Sequence, residues 1–189
     1  MPYATLAEPF PHTTSRQSLP PTLLEKTLRW METDAPWKLR VASFYEQWEL
    51  HVEEAILPED LRVLISPTTV EALVAEFFSA AQPQSIRLLE VTAHRMVAGQ
   101  TIKVHNDFRP DGETHRVLVQ LNRGWHDAQG GLLMLFGSGS ADDVRRVIRP
   151  AHGSGLGFRI SQRSFHAVSS IVAGERFTLV YSFRSEADD

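Results

Sequence analysis

The chain has 189 residues, 42% of them hydrophobic, which suits one domain with enough apolar side chains to close a core. A formal net charge of -4 and a pI near 6.1 supply no basic field of the kind that draws nucleic acid or anionic membranes, so neither is an expected partner. The absence of cysteine excludes a disulfide framework and any thiolate metal site, leaving nitrogen and oxygen to hold a transition metal.

Residues 1–20 carry four of the eleven prolines and little periodicity, and they read as an extended arm. They lack the basic start and apolar run of a signal peptide, and no stretch approaches the roughly 20 apolar residues of a membrane helix, so the expected location is cytoplasmic. A helix is predicted from Thr22, where Thr22 and Glu25 make a capping-box pattern and Leu23, Leu24, Thr27, Leu28 and Met31 recur at helical spacing. Pro36 closes it. The run over 37–49 mixes aromatics with charges and reads as strand or irregular structure. Ser66 and Pro67 then open a second helix over TTVEALVAEFFSAA, with Val70, Leu73, Val74, Phe77 and Phe78 on one face.

After Pro83 the pattern changes to eight short β-rich runs, from SIRLLEVTAHRMV to RFTLVYSF, separated by Gly, Asn, Asp and Pro. That density of strands indicates an antiparallel sandwich or jelly roll. The expected fold is α+β: one domain over 21–189, with a helical part at 21–82 packed against a jelly-roll core at 84–184.

Within QTIKVHND, His105 and Asp107 stand two apart, and strand alternation aims both at one side with Lys103 and Thr101 behind them. His166, on another predicted strand in SFHAVS, offers a third ligand. Two imidazoles and one carboxylate on one face of a metal leave positions open, the arrangement of non-haem iron(II) oxygenases. The pair alone is weak evidence, since eight histidines and nine aspartates give roughly 0.4 chance H-x-D pairs in such a chain. A rival pair, His51 and Glu53, lies outside the β half and has no third ligand arranged behind it. His94, His115, His126 and His152 read as hydrogen-bonded core residues, and His12 and His51 as solvated or structural. Gly130-Gly131 reads as a plain turn. Arg109, Asp111 and Glu113 lie in the loop leaving the metal-bearing strand, and Arg109, Glu113 and Arg116 are the candidate substrate contacts.

Arg176 follows His166 by ten residues, in GERFTLVYSF. Here the sequence resembles the 2-oxoglutarate and Fe(II)-dependent oxygenase superfamily, in its prolyl-4-hydroxylase-like branch, over roughly residues 86–184. His105, Asp107, His166 and Arg176 fall in order on the family's H-x-D pair, its distal His, and the basic residue that binds the distal carboxylate of 2-oxoglutarate. Arg116 with VLVQLN, Trp125, Gly130-Gly131 with LLML, and Arg149-Pro150 extend the likeness.

The resemblance implies a double-stranded β-helix core, Fe(II), 2-oxoglutarate and O2 as cofactors, and release of succinate and CO2 as an amino-acid or peptidyl side chain is hydroxylated. Retention of Asp107 fits hydroxylation, because the family's halogenases give up this carboxylate. Where many relatives place a Tyr against the co-substrate, nine residues before the first His, this chain has Met96. Gln120, Arg95, Lys103 and Thr178 are the candidates to replace that contact, Thr178 sharing a strand face with Arg176. Two other readings stand beside this one: a cupin-like metalloenzyme without 2-oxoglutarate, which has no need of Arg176, and a non-catalytic β-sandwich binding module.

Overall fold

The computed structural model describes residues 3–78 and 86–185, and within them period-two strands sort the side chains into a core face and a site face. One sheet has eight strands. In order across it they are β1 (Tyr3–Leu6), β2 (His12–Ser15), β10 (Gly155–Arg159), β7 (His115–Gln120), β12 (Arg176–Ser185), β5 (Ile86–Met96), β4 (Glu46–His51) and β3 (Lys38–Val41). The smaller sheet runs β6 (Ile102–His105), β11 (His166–Val168), β8 (Leu133–Phe136) and β9 (Val144–Ile148). All pairings are antiparallel. The two facing sheets form the double-stranded β-helix expected from the sequence, and all eight β-rich runs are strands, β5 to β12.

β12 shows the sorting most clearly. Phe177, Leu179, Tyr181 and Phe183 are buried in one cluster with Val91 and Ala93 of β5 and Val117 and Val119 of β7. Helix α1 (Pro21–Thr33), a 3-10 stretch (Glu59–Ile65) and α2 (Pro67–Phe77) cover this face through Leu24, Leu28, Met31, Leu64, Leu73 and Phe77. The alternate residues Arg176, Thr178, Val180 and Ser182 face the space between the sheets. Gly157 of β10 lets α2 approach the sheet, because a Cβ there would lie 2.5 Å from Phe77 Cβ. Among the described residues no helix is long and apolar enough to cross a membrane.

Three local expectations change. Residues 3–15 are extended but do not form a free arm, since β1 and β2 make a hairpin whose second strand pairs with β10. Exposed strand edges attract partners, and this segment occupies the edge of β10. The capping box at Thr22 is not formed: α1 begins at Pro21, whose fixed φ suits a first helical position, and its N-cap Pro20 has no side-chain cap. Glu25 instead pairs with Arg123 at 2.9 Å and His152 at 3.1 Å. Residues 38–41 and 46–51 are regular strands, because the edge of β5 gives β4 backbone partners from Trp48 to His51. The second helix starts as expected, with Ser66 Oγ accepting from Thr69 N and Pro67 in its first turn. Its expected end at 79–81 lies outside the described residues.

Candidate metal centre and active site

β6 and β11 pair at His105 and His166, which brings the two rings to a centroid separation of 4.3 Å. Each ring is oriented by its own backbone: His105 Nδ1 donates to the Lys103 carbonyl at 2.8 Å and His166 Nδ1 to the Ser164 carbonyl at 2.8 Å. A carbonyl can only accept, so the proton sits on Nδ1 and both Nε2 lone pairs are free. Asp107 Oδ2 lies 3.1 Å from His166 Nε2 and 3.4 Å from His105 Nε2. Ligand atoms about 2.1 Å from one ion at right angles would stand about 3 Å apart, so this donor set fits a metal. Among the described residues it is the one such group, with all three ligand atoms within 4.8 Å of one another.

The route to this arrangement differs from simple alternation. β6 ends at His105, and Asp107 reaches the site from a turn in which its φ is +58°. Asn106 holds that turn: its Oδ1 accepts from Phe108 N and its Nδ2 donates to the Gln162 carbonyl. A register shift between β6 and β11 places one extra β6 residue between the His105 and Ile102 pairings. Such a bulge resets the faces. Ile102 and His105 therefore both line the site, while Lys103 is exposed and does not supply a co-substrate contact.

Arg116 and Glu113, expected to touch substrate, are engaged with each other and with the metal site. Arg116 NH1 donates to Asp107 Oδ2, and its Nε and NH2 donate to Glu113. Burial opposes ionisation of Asp107, but the Arg116 charge beside it outweighs that and holds the carboxyl well below its usual range. Burial also lowers the pKa of His166, favouring the neutral ligand form. Arg109 is exposed at the cavity rim, and Asp111 is exposed beyond it.

Across a cavity of about 590 Å3, the large sheet presents Arg176. It is only 3% exposed, and among the described residues no carboxylate pairs with it. Its Nε donates to the Gly131 carbonyl at 2.9 Å and its NH1 to Thr178 Oγ1 at 2.8 Å. Thr178 passes its own proton to Gln120 Oε1 at 3.0 Å, so Gln120 supports the guanidinium from behind. Burial alone lowers the Arg176 pKa to about 10. Met96, opposite Arg176 in the register, is fully buried, and Arg95 faces the other way to pair with Glu175.

Two further residues shape the site. Gly131, read as a plain turn, has a φ of +64°, and a Cβ on it would come within 3.0 Å of Arg176 Cδ. His94, read as core, stands on the cavity wall beside Thr92, Gln47 and Glu49. Their signal was available only through the pairing of β4 with β5. His115 is buried against Phe78, as a core histidine should be. His126 is exposed, and His12 is buried with its Nδ1 on the Phe10 carbonyl. His51 pairs with Glu90 rather than with Glu53.

Residues 91–184 match the model of the 2OG-Fe(II) oxygenase superfamily, and this region of the chain, which carries the triad and Arg176, belongs to that superfamily. Its members use Fe(II), 2-oxoglutarate and O2, and these are the cofactors. The fold is that of the prolyl-4-hydroxylases. A prolyl-4-hydroxylase from Pseudomonas putida superposes with a TM-score of 0.71 at 20% identity, over 92% of this chain and 91% of that one. A Trichoplax adhaerens prolyl hydroxylase, solved with a hypoxia inducible factor peptide fragment, gives 0.70 at 16% identity, over 99% and 85%. The viral collagen prolyl hydroxylase of Paramecium Bursaria Chlorella virus-1, solved with 2-oxoglutarate, gives 0.64 at 13% identity, over 97% and 96%. No curated protein sequence matches the chain.

Proposed function

We propose that the protein is an Fe(II)- and 2-oxoglutarate-dependent dioxygenase that hydroxylates an amino-acid or peptidyl side chain, releasing succinate and CO2. The observation that carries this reading is Arg176, a buried guanidinium that has no carboxylate partner and lies across the cavity from the triad. An uncompensated buried charge is costly, and an anionic ligand in the cavity removes the cost. The distal carboxylate of 2-oxoglutarate answers that need with a bidentate, charge-assisted contact. A cupin-like enzyme that works without a co-substrate offers no counterpart for it.

The bound iron and co-substrate supply the oxidising chemistry, in which one oxygen atom of O2 enters the substrate C–H bond and the other enters succinate. His105, Asp107 and His166, which line the cavity, would hold the metal through their three converging ligand atoms. Arg176, steadied by Thr178 and Gly131, orients the co-substrate. Arg116 fixes the Asp107 carboxylate against the two imidazoles. Leu133, Val168 and Val180 give the inner cavity apolar walls that limit water around the reacting atoms. The peptide bound to the Trichoplax neighbour supports a side-chain substrate, and the exposed Arg109 at the rim is placed to meet a peptide backbone.

Succinate formation by the purified protein, followed with Fe(II), 2-oxoglutarate and O2 each omitted in turn, tests the reading. Release should require all three, and a productive substrate should gain one oxygen in mass. Metal-dependent O2 uptake without succinate would replace this reading with the cupin-like one.

A further inference from the structure

The cavity wall built by β4 and β5 carries a hydrogen-bond chain outside the triad and the Arg176 contacts. Gln47 is 2% exposed and lines the cavity. Its Nε2 donates to Glu49 Oε1 at 2.7 Å and to His94 Nδ1 at 3.3 Å. A carboxylate can only accept, which fixes the orientation of the Gln47 amide. Because His94 Nδ1 accepts, its proton is on Nε2, which donates to Thr92 Oγ1 at 3.2 Å. Gln47 Oε1 is left buried with no partner. Buried carbonyls are rarely left unsatisfied, so this one calls for a donor from a ligand.

Charge narrows the identity of that donor. The Glu49 side chain is 16% exposed, and its cationic neighbour is Arg40, 61% exposed with its Nε 3.6 Å from Glu49 Oε2. That pair is long and solvated on one side, so it compensates Glu49 weakly. The next acid along this wall is Glu90, two residues before Thr92, and it too faces the cavity. Phe44 packs against His105 in a tilted contact with ring centroids 4.8 Å apart and meets Tyr45 edge to face, making an aromatic wall that runs from the metal site to the start of β4. Thr178, His94 and Glu49 pair across β12, β5 and β4, so Glu49 stands two strands, roughly 10 Å, from the co-substrate contact. A ligand on this path meets apolar and aromatic surface beside the metal and acceptors at its far end.

Resting on the dioxygenase reading, we infer that the primary substrate carries a cationic nitrogen, an ammonium or guanidinium on an aliphatic stem, received by Gln47 Oε1 and the Glu49 carboxylate. The stem lies along Phe44 and Tyr45 with a carbon exposed to the metal. Arg40 swings into solvent as the substrate cation takes its place.

The test is calorimetry on anaerobic protein loaded with Fe(II) and 2-oxoglutarate. The probes are Nα-acetyl-lysine methylamide, its Nε-acetylated neutral counterpart, and Nα-acetyl-glutamate methylamide. The lysine probe should bind at least about tenfold tighter than the other two, the scale of one well-placed charge contact. Glu49→Gln should erase most of that preference, and Gln47→Leu should weaken the lysine probe, while both variants keep wild-type affinity for 2-oxoglutarate. Equal or tighter binding of the neutral or acidic probe, no binding of any probe, or an unchanged preference in Glu49→Gln overturns the inference. The wild-type comparison stands even if a variant fails to fold. Affinity for 2-oxoglutarate is read in the same cell: its absence defeats the dioxygenase reading, whereas its presence without probe discrimination defeats only the cationic substrate.

Discussion

The two walls of the cavity differ in how their chemistry is spread along the chain. On the small sheet, two of the three candidate ligands stand within three residues, and both imidazoles are oriented by a carbonyl two positions upstream. On the large sheet, Arg176, Thr178, Gln120, His94 and Gln47 come from four strands, and each is held by a group on another strand or loop. A local device holds or fails as a unit. A distributed wall can be altered at one position while the metal site stays intact, which is where substrate recognition can vary.

The largest expected effect lies on the local wall. His105→Ala, Asp107→Ala and His166→Ala should each abolish tight iron binding, measured anaerobically, with little change in the far-UV circular dichroism spectrum. Near-normal iron in His105→Ala would break the contrast at its root. Next comes Arg176→Ala, which removes one partner of a buried charge contact worth about 2 kcal/mol or more, so 2-oxoglutarate should bind roughly 30-fold more weakly or worse. Iron affinity should be unchanged. Equal losses of iron and co-substrate would show that the walls are not independent.

The same contrast explains what was legible in the sequence. The triad and Arg176 could be read because spacing along one chain carried them, and the eight strands because alternation and turn residues recur over each run. The capping box at Thr22 failed because two prolines already set the start of α1, a competition that a motif cannot show. Lys103 was misplaced because a bulge between β6 and β11 inverts its face, and bulges depend on the partner strand. His94, Gln47 and Glu49 were invisible as a unit because 43 residues separate Leu50 from its partner Ala93.

Gly131→Ala gives a smaller effect on the distributed wall. The added methyl would meet Ile171 Cδ1 at 2.6 Å and Arg176 Cδ at 3.0 Å, on a backbone with φ of +64°. Overpacking together with a positive φ should cost about 1–3 kcal/mol of stability and displace Arg176. Thermal unfolding should show the loss, and 2-oxoglutarate should weaken while iron does not. Unchanged co-substrate affinity would separate Gly131 from the positioning of the guanidinium.

The smallest expected effect concerns His94. Burial, followed by the nearby charges of Arg116 and Arg176, lowers its pKa from 6.5 to about 3. Above pH 6.5 the ring is neutral in both folded and unfolded chains and contributes no pH dependence. Between 6.5 and about 3 the unfolded chain takes up a proton that the folded one refuses, so stability falls as pH falls, by at most about 1.4 kcal/mol per pH unit for this group. His94→Gln removes that proton. Denaturant unfolding at pH 7 and pH 5 should therefore show wild type losing on the order of 2 kcal/mol more than the variant over this interval. His12 and His166, which are also lowered by burial, titrate in both proteins and drop out of the difference. Parallel profiles would mean that His94 accepts a proton in the folded state. Its Nδ1 could then no longer accept from Gln47, and the wall would lose the link that sets the orientation of its free carbonyl.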